Sequence, residues 1–185
     1  MTIVLIRHYQ VLSEWPARCD SGEFDEACRR YDLAPVEIPA HSLEIPPQLA
    51  GVNRIYVSGL PRAQATAAHL FPGQPLVVDP RLNEVSARSF IDTHRQKPLG
   101  YWMFRSRLQW ALNISRQPEI RRDTSRRAES IIEGIRREGV DCILVGHGFM
   151  HACLMRQLRR QAWRGTYVER MRNGQILVFE SPAGW

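Results

Sequence analysis

The sequence predicts an α/β fold: a three-layer sandwich with a mostly parallel central sheet, helices on both faces and a C-terminal antiparallel hairpin. Three observations predict it. Short apolar runs alternate with stretches of helical periodicity, the pattern of strands joined by crossover helices. The runs are apolar on successive residues, as strands covered on both faces are. Near the end of the chain, Asn173-Gly174 stands between two strand-like runs, a strong hairpin signal.

Residues 2–6 (TIVLI) read as the first buried strand. Residues 9–53 are irregular, with prolines at 16, 35, 39, 46 and 47, and hold one short helix near residues 22–31. Residues 54–57 (RIYV) form a second strand. Pro61 suits the first turn of the following helix, in which Ala63, Thr66, Ala67 and Leu70 recur at helical spacing. Residues 76–78 (LVV) are a third strand. From 84 to 118 the periodicity is weak, but Tyr101, Trp102, Phe104 and Trp110 give the segment the mass of an ordered helical excursion. Asp123 or Thr124 is placed to cap the next helix, whose apolar face is Ala128, Ile131, Ile132 and Ile135 and whose end is Gly139. Residues 141–145 (DCILV) make a fourth strand. Met150, Cys153, Leu154 and Leu158 mark a last helix, closed near Gly165, and residues 167–171 and 175–180 form the hairpin.

At 185 residues the chain is sized for a single domain spanning 1–185, and a chain of this length buries about 70% of its unfolded surface. Hydrophobic residues at 44% and charged residues at 24% exclude disordered, collagenous and coiled-coil classes. No apolar run approaches the ~20 residues of a membrane helix, and Arg7 ends the first run too early for a secretory signal. A cytoplasmic protein with no membrane partner is expected. Cys19, Cys28, Cys142 and Cys153 show no CxxC spacing and read as buried free thiols rather than as zinc ligands.

The formal net charge is +6, and Lys97 is the only lysine among the 25 basic residues. Codon bias toward arginine accounts for most of that; the excess still suits an anionic ligand, which guanidinium groups bind through paired donors. Arginine pairs at 121–122, 126–127, 136–137 and 159–160 could suggest nucleic acid. They are interleaved with Glu119, Asp123, Glu129, Glu133 and Glu138 and read as solvent-exposed helix faces.

Ligands of open α/β sheets bind beyond the carboxyl ends of the strands. Here that rule collects Arg7 and His8 after the first strand, Ser58 and Arg62 after the second, Arg81 and Glu84 after the third, and Gly146, His147 and Gly148 after the fourth. Each residue alone has a structural role open to it, as a satisfied core histidine, a solvated arginine or a surface carboxylate. Their joint placement at one edge points to phosphoryl transfer. Arginines orient a tetrahedral dianion, N–H groups at the helix start after Gly148 form an anion site, an imidazole can attack phosphorus, and a carboxylic acid can protonate the leaving oxygen.

The same residues carry a family resemblance. Leu5, Ile6, Arg7 and His8 resemble the opening strand and Arg-His-Gly motif of the histidine phosphatase superfamily, the branch that includes cofactor-dependent phosphoglycerate mutase. Ser58, Arg62, Ala63, Thr66 and Ala67 are similar to its Ser-x-x-x-Arg-Ala-x-x-Thr-Ala helix start. Arg81, Leu82, Asn83 and Glu84 look like its acid-bearing segment, and Val145 to Gly148 like its second histidine motif. The resemblance implies the phosphoglycerate mutase-like fold, with His8 as the nucleophile that becomes phosphohistidine. It implies Arg7, Arg62 and His147 as phosphoryl ligands, with Gly148 beside them, and Glu84 as general acid and base. No metal or cofactor is implied.

Three departures from the family pattern stand out. Tyr9 replaces the glycine after the histidine, where a side chain would crowd the pocket or cap the substrate. Glu14 falls where the family often has a phosphate-contacting asparagine, with Trp15 one place late, and Ser13 is a substitute donor to substrate. The expected Gly-x-x-Gln-Ala helix is not recognisable between 22 and 48. His41, Arg88, His94, Arg95 and Arg105 are candidates for the cavity entrance, and Tyr101, Trp102 and Trp110 for contact with an organic substrate portion or for core. The function expected is a metal-independent phosphatase acting on a small-molecule phosphate ester. A phosphoglycerate mutase-type phosphotransferase is the lesser reading, since the short chain offers little material for an enclosing lid. A catalytically silent phosphate-binding protein on the same fold is the alternative from another class. The oligomeric state is left open.

Overall fold

β1 (Thr2–Arg7) turns Ile3 and Leu5 to one side and Val4 and Ile6 to the other, and all four are fully buried. A strand with no polar side needs cover on both faces. The computed structural model, which describes residues 1–40, 51, 52 and 54–183, shows where that cover comes from.

In chain order the further elements are β2 (Arg18–Cys19), α1 (Ser21–Leu33), β3 (Arg54–Val57), α2 (Pro61–Leu70), β4 (Leu76–Val78), β5 (Lys97–Pro98) and α3 (Leu99–Ala111). They are followed by α4 (Arg121–Glu138), β6 (Cys142–Gly146), α5 (Gly148–Arg160), β7 (Arg164–Gly165) and β8 (Ile176–Glu180). The main sheet has the order β4-β3-β6-β1-β8-β7. β1, β3, β4 and β6 are parallel, and β8 runs antiparallel to β1 and to β7. β2 and β5 form a separate antiparallel pair. This is the α/β sandwich expected, with helices on both faces and an antiparallel edge.

Ile3, Leu5, Cys142 and Leu144 pack with Ala128, Ile131, Ile132 and Ile135 of α4 and with Met150, Leu154 and Leu158 of α5. On the opposite face Val4, Ile6, Ile55, Val57, Ile143 and Val145 pack with Ala63, Ala67 and Leu70 of α2. Each large aliphatic chain so buried contributes about 1.5–3 kcal/mol. α3 sends Trp110 into the cluster of α4 and α5, while its Trp102 joins Cys19, Phe24 and Phe90 in a small separate cluster.

Several boundaries differ from the sequence reading. α1 is longer than residues 22–31, because Asp20 and Glu23 form a capping box that starts it at Ser21. Neither Asp123 nor Thr124 caps α4; the N-cap is Ile120, and Thr124 is instead buried as the acceptor of the Trp110 indole N–H. α5 ends at Arg160, short of Gly165. The hairpin pairs β8 with β7, Arg164 opposite Glu180, not with residues 167–171. Asn173 and Gly174 belong to the long connection between them, which folds back against the end of β1.

Candidate active site

Parallel register brings three strand ends level. Arg7 lies opposite Gly146, and Val57 opposite Val145, so the residues that follow β1, β3 and β6 emerge side by side. His8 N–H bonds Gly146 O and Ser58 N–H bonds Val145 O, prolonging the ladder into the loops. The rings of His8 and His147 stand 5.1 Å apart. Arg62, in the first turn of α2, sends its Nε to His147 Nδ1 at 3.2 Å. Sequence-predicted residues from four crossovers, Arg7, His8, Arg62, Glu84, His147 and Gly148, therefore meet at one edge. Arg81 does not join them; it pairs with Asp79 at 2.7 Å beside α4.

The tautomers of both histidines follow from their partners. His8 Nδ1 lies 2.7 Å from the Tyr9 carbonyl, which can only accept, so Nδ1 carries the proton and Nε2 the lone pair. No hydrogen-bond partner meets Nε2 among the described residues. His147 Nδ1 accepts from Arg62, so its Nε2 carries the proton and donates to Ser58 Oγ at 2.7 Å. Ser58 passes its own proton to Asn83 Oδ1, which also accepts from Gly59 N–H. Burial pulls the His8 pKa down to about 3, the Tyr9 carbonyl opposes this, and Arg62 and Arg7 add to it. His147 is lowered well below its ordinary value, first by burial and then by Arg62.

The guanidinium groups are anchored on one side only. Arg62, 1% exposed, donates Nη1 to Asp32 Oδ1 at 3.0 Å and to the carbonyls of Tyr31 and Asp32. Its Nη2 is buried without a partner among the described residues. Arg7 donates Nη1 to Met171 O at 2.5 Å, while its Nε is likewise buried and unpaired. Gly148 lets Arg7 lie against the start of α5: a Cβ there would sit 3.2 Å from Arg7 Cζ and Nε.

Glu84 departs from expectation in its surroundings. Its carboxylate accepts N–H bonds from Phe149, Met150 and Val85. The anion site foreseen at the start of α5 is thus occupied by the protein's own carboxylate. His147 is also fully engaged, both ring nitrogens being used within the protein.

A cavity of about 880 Å³ opens over these groups. Arg7, Arg62, Glu84 and Gly148 line it, together with Trp15, Tyr31, Met103, Arg107, Phe149 and Arg170. His8 and His147, 2% and 0% exposed, are not on its wall. Arg107 stands over the Phe149 ring at 4.2 Å, and Trp15 against Tyr31 at 5.1 Å.

Some proposed substrate contacts are not in this cavity. Tyr9 turns away from it: its ring is 3% exposed in the core against α2, with its hydroxyl hydrogen-bonded to His69 Nδ1 at 2.9 Å. Packed with Val4, Ile6 and the apolar side of α2, the side chain neither crowds nor caps the cavity. Ser13 is also absent from the lining, and Glu14 is exposed outside it. Of the entrance candidates, Arg88 lines the cavity, whereas Arg95, Arg105 and the solvent-exposed His94 do not; His41 lies outside the described residues. Trp102 and Trp110 are core, and Tyr101 packs on Phe90 outside the cavity.

Sequence reasoning missed five residues here. Asp32 anchors Arg62 but sits at the end of a helix read too short. Asn83 was passed over between two labelled residues. Arg107 carried no motif. Asn173 was read as a turn alone. His151, one helical turn after His147, was detectable from that spacing; it is fully buried, and neither ring nitrogen has a partner among the described residues.

Residues 44–184 match the family model of the histidine phosphatase superfamily (branch 1), which begins beyond Arg7 and His8. Among solved structures, the chain is similar in fold to a protein described as mycobacterial hydrolase 1, with 19% identity over 96% of this chain and 87% of that one and a TM-score of 0.60. An open reading frame product of Mycobacterium tuberculosis superposes with TM-score 0.63 and 15% identity, covering 100% of this chain and 93% of that one. A mycobacterial glucosyl-3-phosphoglycerate phosphatase gives 0.57 and 17%, covering 96% and 88%. None of the curated proteins matches the sequence.

Proposed function

The chain belongs to the histidine phosphatase superfamily, and from that premise we propose that it is a metal-independent phosphomonoesterase working through a phosphohistidine on His8. The observation that carries the reading is the pair of buried, unpartnered guanidinium donors, Arg7 Nε and Arg62 Nη2, beside an imidazole whose Nε2 is unprotonated. Buried donors of charged groups are costly unless something accepts from them. A phosphoryl group supplies acceptors, and its tetrahedral oxygens match two converging guanidinium groups.

In the first step His8 Nε2 forms a bond to phosphorus, the ester P–O bond breaks, and the leaving oxygen takes a proton from the Glu84 carboxyl. In the second step water attacks the phosphohistidine, Glu84 receives its proton, the N–P bond breaks and inorganic phosphate leaves. Arg7 and Arg62 hold the charge that gathers on the transferred group. Substrate entry requires these two side chains to draw around the phosphoryl group and uncover His8, and Glu84 to turn from the α5 N–H groups toward the leaving oxygen. His147, braced between Arg62 and Ser58, holds the floor beside His8 and reaches the phosphoryl group when Ser58 releases its Nε2–H. Hydrolysis is proposed over a mutase reaction because the structures of similar fold include a glucosyl-3-phosphoglycerate phosphatase. The cytoplasm remains the proposed location, and a small-molecule phosphate ester the proposed substrate.

A second reading, phosphate binding without turnover, draws on the engagement of Glu84 and His147 by the protein itself. One experiment separates the two. Release of phosphate from p-nitrophenyl phosphate in the presence of a chelator, with ³²P trapped on His8, is expected of the wild type, and none of the His8→Ala protein. Turnover unaffected by His8→Ala overturns the phosphohistidine mechanism, and saturable binding without release favours the silent protein.

A further inference from the structure

The connection before β8 makes more contacts with the nucleophile than a turn requires. Asn173 Nδ2 donates to Tyr9 O at 2.9 Å and to His8 O at 3.0 Å, and it stands 3.4 Å from His8 Nδ1. Gly174 N–H donates to the Arg7 and His8 carbonyls. The Tyr9 carbonyl is also the group that receives the His8 Nδ1 proton. From this shared acceptor we infer that Asn173 is a positioning residue that fixes the ring tautomer of His8 by holding the Tyr9 carbonyl in place.

The Tyr9 peptide is gripped from three directions. Asn173 holds its carbonyl. Thr66 Oγ1 accepts from its N–H at 3.0 Å, and the same hydroxyl donates to Arg62 O in α2. The side chain is buried with its hydroxyl bonded to His69, also in α2. Two of these grips come from the helix that carries Arg62. The third crosses 164 residues of sequence to reach Tyr9.

The grip matters because a neutral imidazole has one proton for two nitrogens, and the hydrogen bond made by one nitrogen decides the state of the other. A histidine side chain free in water favours the proton on Nε2, which would remove the lone pair that attacks phosphorus. Burial and the neighbouring Arg7 and Arg62 keep the ring neutral, so a switch to the cation does not bypass the choice. A fixed carbonyl facing Nδ1 reverses the preference. Without Asn173 the peptide after His8 loses one of its three restraints, the one on the accepting oxygen itself.

The inference rests on His8 as nucleophile, but its test reads the ring directly and needs no turnover. In ¹⁵N-histidine-labelled wild-type protein, His8 is expected to show a protonated Nδ1 and an unprotonated Nε2. In Asn173→Ala and Asn173→Leu, the two ring shifts move toward the Nε2-protonated form. Where phosphatase activity is present, kcat falls about tenfold or more at unchanged KM. Thermal melting reports whether each variant is folded. Wild-type ring shifts in folded variants overturn the inference. So does an Nε2-protonated His8 in the wild type, whatever the variants do. A proton on Nδ1 that moves with Asn173 in a protein without turnover leaves the positioning role standing and sinks the phosphatase reading alone.

Discussion

Arg62 Nε donates to His147 Nδ1 across 3.2 Å, and this single bond orders much of the site. It assigns the proton of His147 to Nε2, commits Ser58 to Asn83, and leaves Arg62 with one free nitrogen, Nη2, after Asp32 and two carbonyls take Nη1. A lysine at position 62 would keep the charge but not reach all these acceptors. Arg62→Lys is expected to lower kcat/KM by about 10²-fold or more, the loss typical of one preorganised donor at a developing charge. Steady-state kinetics on an aryl phosphate check this; a change under threefold contradicts it.

Three buried histidines give the fold an acid limit. Burial holds His8 and His151 neutral, with pKa values of about 3, and lowers His147 well below the ordinary range. In the unfolded chain each takes a proton near pH 6.5. Below that pH the unfolded state binds more protons, so folding stability falls as the pH drops, by about 1.4 kcal/mol per pH unit for each histidine. Above pH 6.5 these groups contribute no pH dependence. Melting temperature is therefore expected to be level from pH 8 to 7 and to fall steeply from pH 6.5 toward 4. A flat profile over the lower range contradicts the assignment.

His151 adds to that acid sensitivity and has both ring nitrogens buried without partners among the described residues, one of them 2.8 Å from where a Cβ on Gly146 would lie. A leucine fills a similar volume with no polar atom to satisfy. His151→Leu is expected to stabilise the protein by about 1–3 kcal/mol, or roughly 2–4 °C in Tm per kcal/mol, and to make the acid decline shallower. Calorimetry at pH 7.5 and 5.5 measures both; a lower Tm at both values refutes the expectation.

Gly148 is required by closeness rather than by backbone conformation. A methyl group there meets Arg7 Cζ and Nε at 3.2 Å, so the guanidinium, tied to Met171 O, must shift by a few tenths of an ångström from its place on the cavity wall. Gly148→Ala is expected to weaken binding of inorganic phosphate about tenfold with little change in Tm. Titration calorimetry reads the first and thermal melting the second.

How much of this the sequence revealed depends on the length scale of the cause. The strands at 2–7 and 142–146 were legible, as 2–6 and 141–145, because burial on both faces forces apolar residues at successive positions; the strand at 54–57 showed as a short apolar run although Arg54 is exposed and Tyr56 half-buried. α4 was legible from its stripe at 128, 131, 132 and 135. The meeting of His8, Arg62, Glu84 and His147 was expected from their places just beyond the carboxyl ends of four strands. What escaped notice depended on contacts far apart in sequence. Nothing local to Tyr9 says that its ring turns toward His69, and nothing local to Asn173 says that its amide reaches the carbonyl of Tyr9. Glu84 was placed correctly at the edge, but its three N–H partners come from a loop and a helix whose approach no motif records.

The tie of residues 7–8 to residues 171–175 has a consequence for biosynthesis and turnover. Arg7 is held by the carbonyls of Met171 and Gln175, and His8 by Asn173 and Gly174. His8 is therefore tied by a residue made 165 positions later. A ribosome stalled at codon 165 would carry Arg7, His8, Arg62, Glu84 and His147 yet none of the residues 171–175 that tie Arg7 and His8. A protease trimming the tail past residue 171 would silence the molecule without touching a single group that meets substrate.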